Sequence, residues 1–449
     1  MSLIGELGKI IAAGKRQYQS AKGKPLLLLE EIRGREGDLS NMVCRGDNKV
    51  LMKTLIDEKQ MAGSMQLIYI DPPFYSRTDY DAVVQAGREK IKHPAYGDRW
   101  EEGMAQYLKM LSGRLRLMRD LLSETGLIWL HLDWHVVHYA KVIMDEIFGE
   151  ENFINEIIWT YKSGGSGKRH FSRKHDTLLV YSKTKKYAFY PLKEKSYNRQ
   201  FKPYRFKGVK EYRDDAGWYT LVNMKDVWQI DMVGRTSSER TGYATQKPEQ
   251  LLERILQCCT REGDLCADFF CGSGTLPAVA SRMKRRFIGC DIGNLAVEST
   301  VSRLAENGAS FSVYDLDPPK ASKIRVKIDW QEQEIPASDK VLLKIKLISL
   351  REKNMARCAD EKSREKVREI QKEDSLQLVC AWSLDLDYQG GVHRPEKIFA
   401  RKKGILPRET EQIVSRGKTI SVKISDIFGN VTYERIETGN EREPKTAVY

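Results

Sequence analysis

Apolar positions along the chain fall into two rhythms. Leu3, Ile4, Leu7, Ile10 and Ile11 recur at helical spacing, as do Tyr107, Leu108, Leu111, Leu115, Met118 and Leu122. Short apolar runs rich in β-branched residues stand between such stretches. They predict strands at residues 42–44, 67–70, 126–132 and 287–290, and helices at about 49–56, 103–122, 136–148 and 251–259. Strands alternating with helices argue for an open, mostly parallel α/β sheet. Residues 75–99 are polar with little period, which predicts a long mobile segment over a site. Beyond residue 310 the rhythm changes. Residues 323–330, 376–386 and 419–436 alternate as strands do, and residues 339–373 are highly charged and predict partial helix, so a small β-rich domain is expected there.

The run 67–70 ends in Asp71-Pro72-Pro73-Phe74. Proline fixes φ and has no N–H, so the strand stops at a rigid tip. Open α/β sheets bind ligands beyond the carboxyl ends of their strands. A carboxylate and a proline carbonyl there can each accept one N–H of an exocyclic amine, and the Phe74 ring can stack on a base turned out of a duplex. An ordinary proline turn is the alternative. Asp317-Pro318-Pro319-Lys320 lacks the aromatic and reads as a linker.

A second motif runs Asp268-Phe269-Phe270-Cys271-Gly272-Ser273-Gly274 and leads into a helix expected near Pro277. Glycines let a backbone approach a ligand closely at a helix start. The next strand ends at Asp291, where an acid can meet ribose hydroxyls. The spacing is neither that of a dinucleotide fingerprint nor that of a phosphate loop, which leaves a nucleoside ligand without phosphates. Thr245-Gln246-Lys247-Pro248 precedes the helix at 251. Asp47, after the strand 42–44, either caps the next helix or touches the ligand. His131, Asp133, His135 and His138 invite a metal reading, but as ordinary polar neighbours and a helix start they need none, and no metal is assigned.

Charge adds a partner. The 449 residues carry a net +13, and sixteen lysines and arginines fall between Tyr161 and Arg213, interleaved with aromatics. Ser163-Gly164-Gly165-Ser166-Gly167 leads into Lys168, Arg169, His170, Phe171, Arg173 and Lys174, where phosphate contact and base stacking fit better than a merely solvated face. The eight cysteines form no zinc or disulfide spacing, and no segment is long enough to span a membrane, so a reducing cytoplasm is expected.

The three motifs in this order, with the basic region between the first and last, resemble the β-class amino-methylating DNA methyltransferases, which include modification enzymes of restriction systems. The resemblance covers roughly residues 40–310. It implies S-adenosylmethionine as methyl donor, held by Asp268, Phe270, Gly272, Gly274 and Asp291, with Gln246, Lys247 and Asp47 nearby. It places the target base at Asp71, Pro72, Pro73 and Phe74, and DNA contact at Lys168, Arg169, His170, Arg173 and Lys174. Phe269 stands where the family usually has proline, and Phe74 where it more often has tyrosine. Aspartate at 71 leans to adenine N6 over cytosine N4, and a catalytically silent DNA-binding relative is the reading from another class. The absence of a Pro-Cys pair argues against cytosine-C5 chemistry. The expected partition is an N-terminal helical extension (1–40), a catalytic half (41–159), a target-recognition region (160–240), a cofactor half (241–310) and a β-rich accessory domain (311–449). Double-stranded DNA is the expected partner, with a restriction subunit or a second copy of the chain as further candidates.

Overall fold

The protein is described here by a computed structural model. The structure describes residues 3–33, 41–162, 167–234, 236–317, 324–352, 355–402 and 404–439. The glycine-rich lead at 163–166 and the prolines of the second Asp-Pro-Pro sequence lie outside them.

Ten strands form the central sheet, in the order Leu27–Ile32, Phe311–Asp315, Asn41–Arg45, Arg286–Asp291, Leu265–Asp268, Met65–Ile70, Leu122–Leu132, His175–Ser182, Phe153–Thr160 and Val227–Gln229. The six from Phe311–Asp315 to Leu122–Leu132 are parallel; Leu27–Ile32, His175–Ser182 and Phe153–Thr160 pair antiparallel to their neighbours towards the centre, and Val227–Gln229 ends the sheet parallel to Phe153–Thr160. Alternate side chains of each strand serve opposite faces. Ile68, Ile70, Ile128 and Leu130 pack under the helices Leu3–Gln19, Asn48–Asp57, Met104–Leu121 and Val137–Phe148. Leu67, Tyr69, Leu127 and Trp129 pack under Glu249–Cys259, Thr275–Arg282 and Asn294–Glu306. Burial on both faces explains why these strands read as unbroken apolar runs.

The sheet takes in more than residues 41–310. One edge is built from Leu27–Ile32 and Phe311–Asp315, and the strand His175–Ser182 comes from within the basic region. The rest of that region carries a separate antiparallel sheet of Lys193–Tyr197, Glu211–Asp214 and Gly217–Asn223. A third core, built mainly by residues 324–439 and joined by Ala86 and Ile91, holds a three-stranded and a four-stranded antiparallel sheet.

One expectation needs correction. The segment 75–99 is no loop: Asp79–Ala86 and Glu89–Gly97 pair as a hairpin around Gly87, whose φ is +58°. Its buried residues include Ala82 and Ala86, too small to register as a period-two apolar signal. Within 339–373 the expected partial helix is present as Arg364–Glu373 and short single turns, and Lys340–Arg351 is a strand whose Val341, Leu343, Ile345 and Leu347 are buried. Lysines on the solvent face of that strand gave it its charge. The helix after the glycine motif starts at Thr275, so Pro277 is its third residue.

Candidate active site

The two motif strands are neighbours. Leu67 pairs with Cys266 and Ile68 with Ala267 in parallel register, so both strands end at the same edge of the sheet. Their loops open on one cavity of about 400 Å³, within the range of small-molecule sites. Asp71, Pro73, Gln246, Lys247, Asp268, Phe270, Gly272 and Asp291 all line it. Pro72, Phe74, Gly274 and Asp47 do not line it.

At the first motif, Lys247 reaches across and donates its ammonium to Asp71 Oδ2. It also donates to the carbonyl of Thr245 at 3.3 Å. Asp71 Oδ1 is buried and has no hydrogen-bond partner. One carboxylate oxygen is therefore held and the other is left as an acceptor. The Phe74 ring lies 5.7 Å from the His131 ring, with Lys247 Nζ 5.3 Å from its centroid. Beneath it runs a buried polar chain: Tyr69 bonds His131 at 2.8 Å, His131 meets Asp176 at 3.2 Å, and Tyr161 donates to Asp176 at 3.0 Å. Burial works to raise Asp176, but the bonds from His131 and Tyr161 and the charge of Lys247 hold its carboxyl below the usual range.

Asp98 closes the loop after Phe74. It is fully buried and accepts from the backbone N–H of Tyr75 (3.1 Å) and Ser76 (2.6 Å), the Ser76 hydroxyl (2.8 Å) and the Trp100 indole (3.0 Å). Sequence reading missed it because its donors are set by the hairpin.

At the second motif, Asp268 accepts from Phe270 N at 3.0 Å, and burial pushes its carboxyl well above the usual range. Asn48 donates to the Phe269 carbonyl at 2.6 Å, and its own oxygen accepts from Arg114 at 2.6 Å. Asp47 caps the helix Asn48–Asp57 by accepting from Lys49 N and pairs with Arg114, and this is its role in the structure. Asp291 accepts from Gly272 N (3.0 Å) and Gly293 N (2.9 Å), which fixes its carboxylate at the rim; burial raises it as well. The two glycines differ. A Cβ on Gly272 would meet the Tyr243 ring at 3.2 Å, at the cavity wall. A Cβ on Gly274 would meet Thr300 at 2.6 Å, inside helix packing. Gln246 spends its amide on the loop, accepting from Thr241 N at 2.8 Å and donating to the Glu239 carbonyl at 2.6 Å.

The hairpin, the residues after it and the segment before Gln246 complete the wall with Thr245 of the third motif and with Tyr96, Trp100 and Tyr243, which carried no sequence signal. Around His135 the structure shows local bonds: its backbone N–H and its ring bond the Asp133 carboxylate at 2.9 and 2.7 Å. Among the described residues, no three metal-ligating side chains cluster.

Lys168, Arg169, His170 and Phe171 are exposed, Phe171 almost wholly at 99%. Arg173 stacks its guanidinium 3.8 Å from the ring centroid of Trp134, which follows the sheet strand beside the Asp71 tip. Phe201 and Phe206 are exposed near the small antiparallel sheet. No described helix is long and apolar enough to cross a membrane.

The family described as DNA methylase, of N6 and N4 amino type, matches residues 65–302, which hold both motif strands, both loops and the cavity between them. The chain belongs to this family. It is thus a DNA methyltransferase acting on an exocyclic amine, with S-adenosylmethionine as its donor. It is 29% identical over 336 residues to the type II methyltransferase M.EcaI of Enterobacter cloacae, covering 62% of this chain and 72% of that protein. To M2.DpnII of Streptococcus pneumoniae it is 30% identical over 256 residues, covering 56% and 86%. A solved complex of M1.HpyAVI with S-adenosylmethionine superposes with a TM-score of 0.38 at 16% identity, covering 59% and 98%. The methylase match ends at residue 302, so residues 324–439 lie beyond it.

Proposed function

We propose that the protein methylates the N6 amine of an adenine turned out of double-stranded DNA at a specific sequence. The observation that carries this reading is the divided Asp71 carboxylate, with one oxygen fixed by Lys247 and the other buried, unpaired and beside the cavity. An amide-like exocyclic amine is a poor nucleophile because its lone pair is delocalised into the ring. Asp71 Oδ1 and the Pro72 carbonyl each accept one of its N–H bonds, which favours a pyramidal nitrogen. Phe74 offers its ring face to the extruded base.

The donor supplies a methyl group on a positively charged sulfur. The cavity fits such a molecule in size and in its acids Asp71, Asp268 and Asp291, with Asp291 already oriented by two backbone N–H groups. Asp291 accepts the ribose hydroxyls, and Phe270 and Gly272 form the adjoining wall. Lys168, Arg169, His170, Arg173 and Lys174 meet the phosphate backbone, where cations displace condensed counterions.

Nucleoside mass spectrometry of DNA treated with the purified protein and donor tests the reading. N6-methyladenine is expected, and Asp71→Ala is expected to abolish it while the donor still binds. N4-methylcytosine in its place would overturn the choice of base. Donor binding with no methyl transfer would favour a silent relative.

A further inference from the structure

The hairpin Asp79–Ala86/Glu89–Gly97 belongs to two places at once. Its open end lies at the cavity: Ala95, Tyr96 and Gly97 line it, the Tyr96 hydroxyl meets Thr245 Oγ1 at 3.2 Å, and Val83 N donates to the Gly242 carbonyl at 3.1 Å. Asp98 fastens that end to the loop after Phe74. Its closed end is sunk in the core of residues 324–439. Ala86 and Ile91 are fully buried and pack with Leu376, Val379 and the other apolar residues of that core. Lys92 N donates to Ser363 Oγ at 3.1 Å, Asp360 N donates to the Lys92 carbonyl at 2.9 Å, and the His93 ring bonds the Cys358 carbonyl at 2.6 Å.

A two-stranded hairpin is marginally stable in water by itself. Something must hold this one, and the apolar packing of its closed end lies with the C-terminal module. We propose that residues 324–439 are the anchor that holds this hairpin as a wall of the donor cavity, with Ile91 and Ser363 as positioning residues. The module is thereby part of the donor site although none of its residues lines the cavity. This rests on the reading of the cavity as the donor site. A wall in place for only about a tenth of the time raises the apparent dissociation constant about tenfold.

Three variants separate this from general destabilisation: Ile91→Ala, Ser363→Ala, which removes a single hydrogen bond should Ile91→Ala unfold the chain, and Ile436→Ala, a buried control in the same core on the strand Val431–Glu437. Calorimetry with S-adenosylmethionine is paired with amide hydrogen exchange over residues 79–97 measured without the donor. Faster exchange in the hairpin and an apparent Kd about tenfold higher are expected for Ile91→Ala, smaller changes of both kinds for Ser363→Ala, and neither for Ile436→Ala at an equal or larger loss of Tm. Ile91→Val is expected to restore both. Unchanged exchange and affinity in Ile91→Ala, or an equal loss in Ile436→Ala, overturns the anchor. Failure of the wild-type protein to bind the donor would instead count against the site reading, and the exchange data would still decide whether the module holds the hairpin.

Discussion

At the scale of single residues, the site rests on how one carboxylate is shared. Asp71 stood out in the sequence because two prolines and an aromatic follow it at the end of an apolar run, and the fold puts it on the cavity. Its partner was not: Lys247 lies 176 positions away, and only the fold brings its ammonium to Oδ2. The sequence placed Lys247 near the donor. In the structure it lines the same cavity and its ion pair is with the group assigned to the target amine. The ammonium holds Oδ2 and leaves Oδ1 as the acceptor. Lys247→Met should therefore lower kcat, because the carboxylate loses the group that holds it in place. Single-turnover methylation by wild type and variant checks this. An unchanged rate would mean that the ion pair plays no part in the reaction.

At the scale of elements, the parallel strands and their helices were visible because a buried strand and an amphipathic helix leave different periods. The hairpin at 79–97 was hidden by small and polar residues, and its packing partner lies more than 250 positions further on, which no local pattern reports. The glycine turn shows the same limit. Both Gly272 and Gly274 hold positive φ, +49° and +71°, so each resists a side chain. Both were expected to serve the donor, yet their neighbours differ. Gly274→Ala presses on Thr300 and should destabilise the packing of Thr275–Arg282 on Asn294–Glu306, lowering Tm, with about 1–2 kcal/mol from the left-handed backbone alone. Gly272→Ala carries a similar backbone cost, but its new methyl faces Tyr243 at the cavity, so donor affinity should fall by more than its Tm loss explains. Thermal melts beside calorimetry for the two variants decide it. Equal losses of affinity at equal Tm would return Gly274 to the cavity wall.

At the scale of the molecule, the methylase core and the C-terminal module share a seam, and its chemistry sets a pH limit. The strand Leu27–Ile32 accepts His393 N at the Leu29 carbonyl (2.9 Å) and donates Glu31 N to the His393 carbonyl (3.0 Å). Lys423 from the module pairs with Glu30 at 2.6 Å and with Glu298 at 3.2 Å, with Lys423 and Glu30 buried and Glu298 partly so. A buried ion group of this kind is costly to break by losing one member. The His393 ring bonds Ser383 at 2.8 Å and Ser421 at 3.0 Å. Burial pushes its pKa down to about 4, and the charge of Lys423 adds to this against Glu30 and Asp385. The unfolded chain takes up this proton near 6.5 and the folded one only near 4, so the folded form gains nothing from acid. The contribution is fully present above about pH 6.5 and is lost as pH falls towards 4, amounting to about 3 kcal/mol at most. Tm of the full chain should therefore fall across that window, and His393→Gln, which offers hydrogen bonds without a titrating ring, should fall less steeply. Melts of both proteins from pH 4 to pH 8 provide the comparison. Parallel curves would show that protonation at the seam lies elsewhere, and a steeper curve for the variant would reverse the sign assigned to His393.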